Sequence, residues 1–441
     1  DFIMFELIMI DQENKRRSIF YDPHKSTVSD KDGKDILITD VKPHSCFKKA
    51  IGISPTNPGS KVSKLSKIRI QLGLGCNYSC SYCLQKDQIK DSTKTSLRDA
   101  EIFMKNLDKW VEGAPAEIEF WGGEPLLYWN KIKFLLEKLT ERFPEVSYLI
   151  ITNGSLIDDD FIETVEKYNI RVAISHDGPG QYNRGPDPLD NPIQFEMIKK
   201  FFDRRKNNMS FNSVITPSNM NLDKIEQFFK SKFGQEARIS FEGVVINYDD
   251  GESNTFTTEQ YNELSKNVAM SCMRPFENLP NTFQIKIREF MKTLQNKLSS
   301  DSVFQKCGMD REDYIAVDLL GNVMTCQNTG STGKHRIGHV YSLDKVKLNT
   351  SWHWSQREEC SHCPVLQLCA GSCMYVEGPS WYHSCNNEYY YNMGILAGAM
   401  YHMTGMILEE VKGETWRPDP ADYGVTIKDH SQNIVDGLLE V

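Results

Sequence analysis

Three cysteines stand within eight residues in Cys76-Asn-Tyr-Ser-Cys80-Ser-Tyr-Cys83, close enough on one loop for their thiolates to wrap a single metal cluster. A structural zinc site normally takes four closed ligands, often as two C-x2-C pairs. Here the spacing is x3 then x2, and no fourth cysteine lies within twenty residues. Three thiolates on a [4Fe-4S] cube leave one iron open, and an open iron can hold a small chelating molecule rather than only pass electrons. A second concentration follows in Cys307-x13-Gly321-x4-Cys326, then Cys360-x2-Cys363-x5-Cys369-x3-Cys373, then Cys385. Cys360, Cys363, Cys369 and Cys373 would close one zinc site, but Cys307, Cys326 and Cys385 are then idle. Ten of the twelve cysteines fall in these two groups, with Cys46 and Cys272 apart. That distribution argues for metal ligation in a reducing compartment rather than for a secreted disulfide framework.

The rest of the chain must position these groups. Its 441 residues exceed one ordinary core and imply two or three domains. A formal net charge of -9 sets up no field for phosphate backbones or anionic membrane, so neither nucleic acid nor a membrane is an expected partner. Phe2 to Ile10 contains Glu6 and lacks a basic start and a small-residue cleavage site, so the reading is cytoplasmic. Residues 1–62 alternate apolar and polar in Phe2 to Ile10 and in Asp35 to Val41, which reads as a small β-rich appendage packed on the next domain. A free sheet edge for a peptide is its alternative role.

From Lys67 the pattern becomes short apolar runs, each followed by an amphipathic stretch, as in a parallel sheet with crossover helices. Six strands are expected: Ile68 to Leu72, Ala116 to Phe120, Ser147 to Thr152, Arg171 to Ser175, Ser210 to Ile215 and Ala237 to Gly243. A helical bridge follows at residues 275–300, and Tyr391 to Val411 reads as an amphipathic closing helix. After the first four strands come the cysteine loop, Trp121-Gly-Gly-Glu-Pro125, Asn153-Gly154 and His176-Asp-Gly178. In parallel α/β architectures the carboxyl ends of the strands form the binding face, so the four loops should converge on one ligand. Gly122 and Gly123 let backbone approach it, Glu124 can accept hydrogen bonds from an ammonium, and Pro125 fixes the exit.

The cysteine spacing, with Tyr82 before the last thiol, resembles the signature of the radical S-adenosylmethionine (SAM) superfamily. Gly-Gly-Glu-Pro after the second strand resembles that family's segment for the methionine amino group. Ser175-His-Asp177-Gly resembles its Ser-x-Asp-Gly segment beside the SAM ribose and carboxylate. The resemblance implies that Cys76, Cys80 and Cys83 hold the SAM-binding cluster, and that Tyr82, Gly122, Gly123, Glu124, Pro125, Asn153, Ser175 and Asp177 surround SAM. For Asp177 a helix N-cap is an equal reading. The later cysteines resemble a SPASM domain with two auxiliary [4Fe-4S] clusters, Cys307, Cys326 and Cys373 on the first and Cys360, Cys363, Cys369 and Cys385 on the second. The implied fold is α/β, a partial (β/α)6 TIM-like barrel with an N-terminal β-rich appendage and a C-terminal iron-sulfur domain. The expected boundaries are 1–62, 63–300, 301–390 and 391–441.

The activity implied is reductive cleavage of SAM to a 5'-deoxyadenosyl radical that takes a hydrogen atom from a peptide or protein. The electron comes from an external reductant such as a flavodoxin or ferredoxin. SPASM relatives mostly modify peptides, so the expected outcome is a cross-link or oxidation in a ribosomally synthesised peptide. Anaerobic sulfatase maturation is the rival within the family, whose members carry an Asp directly after the Gly-x4-Cys cysteine; here that residue is Gln327, which cannot take a proton at pH 7. A non-catalytic iron-sulfur electron carrier or sensor is the rival from another class, and it gives no reason for Gly-Gly-Glu-Pro.

Overall fold

The computed structural model describes residues 3–36, 48–244 and 254–425. Cys46 and most of the Asp35 to Val41 run lie outside them. The six expected strands form: β4 (Lys67–Gln71), β5 (Glu117–Trp121), β6 (Ser147–Thr152), β7 (Arg171–Ser175), β8 (Met209–Ile215) and β9 (Ile239–Val244) lie side by side in chain order, every neighbouring pair parallel. They follow β1 (Phe5–Ile10), β2 (Arg16–Asp22) and β3 (Thr27–Ser29). The crossovers are α1 (Leu97–Asn106), α2 (Trp129–Arg142), α3 (Asp159–Lys167), α4 (Pro192–Arg205) and α5 (Leu222–Phe233). This is an α/β fold, an open parallel barrel. Sequence and structure agree locally: α2 buries Ile132, Leu135, Leu136 and Leu139 at i, i+3, i+4 and i+7. The α1 start is a capping box of Ser96 and Asp99.

Two features were not read from the sequence. The first is β10 (Tyr314–Asp318), which pairs parallel with β4 on the side away from β5 and carries the antiparallel β11 (Asn322–Met324) and β12 (Arg336–His339). The β10–β11 turn explains the Gly-x4-Cys spacing. Asp318 Oδ1 accepts from Leu320 N (3.0 Å) and Asn322 N (2.9 Å), Gly321 completes the turn, and Cys326 comes just past β11. Among the described residues the sheet is thereby nine-stranded, and Cys307 and Cys326 flank a hairpin beside the strand that carries the first cysteine loop.

The second corrects the expected closing helix. After α6 (Thr258–Cys272), the bridging α7 (Asn281–Gln295) and the short turns α8 (Glu358–Ser361) and α9 (Leu366–Cys369), one long helix, α10, spans Gly378–Thr404. It is not amphipathic: Ser384 to Met400 are buried on every side, because α10 packs between α6, α7, α9 and β9. Gly405, at φ 71°, ends it in the left-handed conformation that glycine adopts without strain. Ile407–Lys412 is β13, a strand that pairs antiparallel with β1, so the small sheet runs β13-β1-β2-β3. The helix expected to run to Val411 therefore stops at Thr404, and pairing with β1 makes the rest a strand.

Candidate active site

The parallel register brings the carboxyl ends of β4 to β7 level, with Gln71 opposite Trp121 and Thr152 opposite Ile174. The loops beyond them interlock through backbone. Gly123 N donates to Gly73 O (3.1 Å) and Glu124 N to Gly75 O (3.0 Å), so the second loop lies directly on the cysteine loop. A Cβ at Gly123 would stand 2.3 Å from Gly75 O and 2.5 Å from Leu74 O, which no side chain tolerates. Glu124, 1% exposed, accepts from Leu126 N and Thr152 Oγ1 at Oε1 (3.0 and 2.6 Å) and from Asn153 N at Oε2 (2.8 Å). Burial raises its pKa above the ordinary range. Asn153 Nδ2 in turn donates to Asn77 Oδ1 (2.8 Å), inside the cysteine loop.

These loops enclose a cavity of about 500 Å³, within the range for small-molecule sites. Cys76, Cys80 and Cys83 line it together with Tyr82, Gly122, Gly123, Glu124, Asn153 and Ser175. Of the residues that the sequence suggested around a cofactor, Pro125 and Asp177 are not in its wall. Asp177 is fully buried behind it: Oδ1 accepts from Val214 N (2.9 Å) and lies 3.0 Å from Arg184 Nε, and Oδ2 accepts from the Tyr82 hydroxyl. Asp177 makes no side-chain cap of the helical turn after it; it holds Tyr82 and Arg184 in place. His176 is likewise structural, with Nε2 on Asp187 (2.7 Å) and Nδ1 accepting from Gly178 N (2.9 Å).

Sequence reasoning missed Arg184, Gln85, Glu242 and Asn328, all in the cavity wall. Arg184 follows the Ser175-to-Gly178 loop, and a charged residue there was an available signal. Gln85 Nε2 donates to Gly122 O (3.2 Å) and Asn328 Oδ1 (2.9 Å), joining the first two loops to the segment after Cys326. Asn328 is brought there by the segment after β11, and no local pattern announced it. Glu242, at the end of β9, accepts from Asn212 Nδ2 (2.8 Å).

The later cysteines interact in two groups that meet at Cys373. Cys307, Cys326 and Cys373 interact electrostatically with one another. Cys360, Cys363, Cys369 and Cys385 do likewise and line one cavity. Cys373 interacts with Cys307 and Cys326 and also packs against Cys360 and Cys385. Among the described residues no three His, Cys, Asp or Glu side chains close on a single ion. Thiolates of an iron-sulfur cube each bind a different iron and stand further apart. Burial raises the thiol pKa of Cys80 to about 11 and that of Cys363 to about 11, so metal binding there must expel protons.

Residues 70–230 match the model of the Radical SAM superfamily. The match starts in β4 and takes in the cysteine loop and the three loops that close the cavity, so this part of the chain is a radical SAM domain. The chain is 23% identical over 341 residues to the radical SAM cyclopropyl synthase TigE of Paramaledivibacter caminithermalis, covering 70% of this chain and 68% of that one. It is 24% identical to a cysteine-type anaerobic sulfatase-maturating enzyme of Clostridium perfringens, covering 68% and 86%. The solved structure of native anSMEcpe with bound AdoMet has the same fold, at TM-score 0.57 and 20% identity over 77% of this chain and 98% of that one. Beyond that domain the chain is similar to anaerobic sulfatase-maturating enzymes and to a cyclopropyl synthase. No helix among the described residues is long and apolar enough to cross a membrane.

Proposed function

We propose that this enzyme modifies a ribosomally synthesised peptide, with SAM and its cluster in the cavity and two auxiliary clusters in the C-terminal region. The observation that carries the reading is the cavity itself: three thiols, a glycine-glycine-glutamate loop and a buried arginine converge where four strand ends meet. The residues fit the group, since Gly123 leaves backbone where a side chain would block and the thiols share one wall. Bound there, SAM and the cluster supply a carbon radical able to take hydrogen from an unactivated carbon. Cys76, Cys80 and Cys83 would hold the cluster. Gly122, Gly123, Glu124, Asn153 and Ser175 would hold the methionine and ribose parts, while Tyr82 and Arg184 close one side. Leu74, Ile151, Val214 and Val244 keep the wall apolar and exclude water.

Cys307, Cys326 and Cys373 would hold the first auxiliary cluster, and Cys360, Cys363, Cys369 and Cys385 the second. An external flavodoxin or ferredoxin would supply electrons. The test is anaerobic incubation of reconstituted protein with SAM, reductant and candidate peptides encoded near the gene, followed by mass spectrometry. Formation of 5'-deoxyadenosine with a mass change in a peptide is expected; no 5'-deoxyadenosine at all rejects the reading. Replacing Cys76, Cys80 and Cys83 by Ala should abolish SAM cleavage. Replacing Cys360 and Cys363 should cost product more than cleavage.

Sulfatase maturation is the second reading, and the cysteine-type and serine-type sulfatase-maturating relatives favour it. A neighbouring structure contains the Cp18Cys peptide. A sulfatase peptide carrying the target cysteine should be offered in the same assay, where conversion to formylglycine would select this reading.

A further inference from the structure

The cavity of Cys360, Cys363, Cys369 and Cys385 also contains a guanidinium. Arg417, on the segment after β13, lies 3.9 Å over the Tyr389 ring and donates through Nη2 to Cys385 O (3.3 Å) and Asn386 Oδ1 (2.7 Å). Its electrostatic partners include the sulfurs of Cys385 and Cys363. The segment is pinned on both sides: Trp416 stacks on His362 at 3.6 Å and the Tyr423 hydroxyl donates to Glu359 Oε1.

A second guanidinium approaches from α8. Arg357 is 9% exposed, lies 3.8 Å over the Trp381 ring and donates through Nη2 to Met374 O (3.3 Å) and Val376 O (2.8 Å). Its Nε is buried without a hydrogen-bond partner. Its electrostatic partners are the sulfurs of Cys360, Cys373 and Cys385 and the carboxyl of Glu359. Through Met374 O it stands beside Cys373, and Cys360 follows it by three residues, so it adjoins both proposed ligand sets. Among the described residues neither arginine forms an ion pair with a carboxylate. A buried cation is costly without anions around it, and here thiolates at Cys360, Cys363 and Cys385 would join the single carboxyl of Glu359 in balancing two guanidinium groups.

We propose that Arg357 and Arg417 are the counter-cations of an iron-sulfur cluster on Cys360, Cys363, Cys369 and Cys385, and that Arg357 also acts on the cluster of Cys307, Cys326 and Cys373. The inference rests on the ligand sets proposed above. A four-thiolate cube is an anion that gains one more negative charge on reduction. A fixed positive charge nearby stabilises the reduced form more than the oxidised one and raises the potential. Little solvent screens the interaction at a buried site, and arginine keeps its charge at every working pH. Both arginines are thus positioning residues that set the charge balance of the auxiliary region.

The test uses full-length protein with Cys76, Cys80 and Cys83 replaced by Ala, reconstituted anaerobically so that only the auxiliary region holds iron. Iron analysis and a reductive titration followed by electron paramagnetic resonance give the potential of each cluster. Arg417→Met is expected to shift the reduction equilibrium of one cluster at least tenfold toward the oxidised form, 59 mV for one electron. Arg357→Met is expected to shift both clusters. The Arg357→Lys and Arg417→Lys variants keep the charge and should stay within tenfold of the parent. Unchanged potentials in iron-loaded Met variants overturn the proposal, as do Lys variants displaced as far as the Met variants. Should the Met variants fail to retain iron, the Lys variants decide alone. A parent that holds no auxiliary iron defeats the ligand sets themselves, an outcome distinct from iron-loaded protein with unmoved potentials.

Discussion

Gln327 Oε1 accepts a hydrogen bond from Arg69 Nη1 at 3.1 Å, while Nε of the same guanidinium donates to Glu119 Oε2 at 2.9 Å. The residue after Cys326 is therefore held against β4 and β5 and does not line the cavity, although its neighbour Asn328 does. A carboxylate at this position would face Arg69 rather than a substrate. Gln327→Asp should accordingly give no formylglycine on a cysteine-containing sulfatase peptide; appearance of the aldehyde mass would refute this account. Arg69→Met strips Glu119, 3% exposed, of one cation and should cost about 3 kcal/mol in a urea titration.

Gly123 is where the second loop touches the first. An added methyl meets Gly75 O and Leu74 O, both backbone, so the loops must part. Gly123→Ala is expected to weaken SAM binding by iron-loaded protein more than tenfold, measured by equilibrium dialysis. Tyr128→Phe, which removes only the acceptor of Gly75 N at 2.9 Å, should change binding a few-fold at most, about 1 kcal/mol. Equal effects of the two would show that contact at Gly123 is not what shapes the site.

His335 predicts a pH dependence. It is 9% exposed, and burial lowers its pKa to about 4, with Nδ1 against Thr325 Oγ1 at 2.9 Å. The folded state thus binds fewer protons than the unfolded state between about pH 4 and the ordinary histidine value of about 6.5. Its contribution is complete above about pH 6.5, falls as pH drops through the window, and is lost below about pH 4, at most about 3 kcal/mol. His335→Gln should flatten the stability profile across that window. A profile as steep as that of the native chain would place the titrating group elsewhere.

The barrel was legible because each of its strands is a short apolar run beside its own crossover helix, as in Ser147–Thr152 and Trp129–Arg142. The cysteine loop and Gly122 to Glu124 were legible because their chemistry is local and closely spaced. What the chain hid depends on distant partners. Ile407 to Lys412 becomes a strand only through β1, some four hundred residues earlier in the chain. Asp177 turned out to organise Tyr82 and Arg184 behind the cavity wall, a role set by a loop crossing that no spacing announces. Asn328 is brought to the site by the segment after β11, whose partner β10 lies along β4.

The first auxiliary set as proposed has three thiols, and Asp310, Asp313 and the distant Cys272, which could each complete it, are engaged elsewhere. Asp310 accepts from Gln305 N with both oxygens, at 3.1 Å each. Asp313 is held by Arg311 Nε and Nη2 (2.9 and 2.8 Å) and by Ser66 Oγ (2.7 Å). Cys272 is fully buried at the end of α6, against α10, where burial pushes its thiol pKa well up. One iron of that cluster should then be open to an exogenous ligand. Asp310→Asn, Asp313→Asn and Cys272→Ala are each expected to keep the full iron content, about twelve per chain for three cubes. A cysteine-containing peptide added to the Cys76, Cys80 and Cys83 triple Ala variant should alter the auxiliary spectrum. Loss of about four irons from any one of the three single variants would identify the missing ligand and close the site.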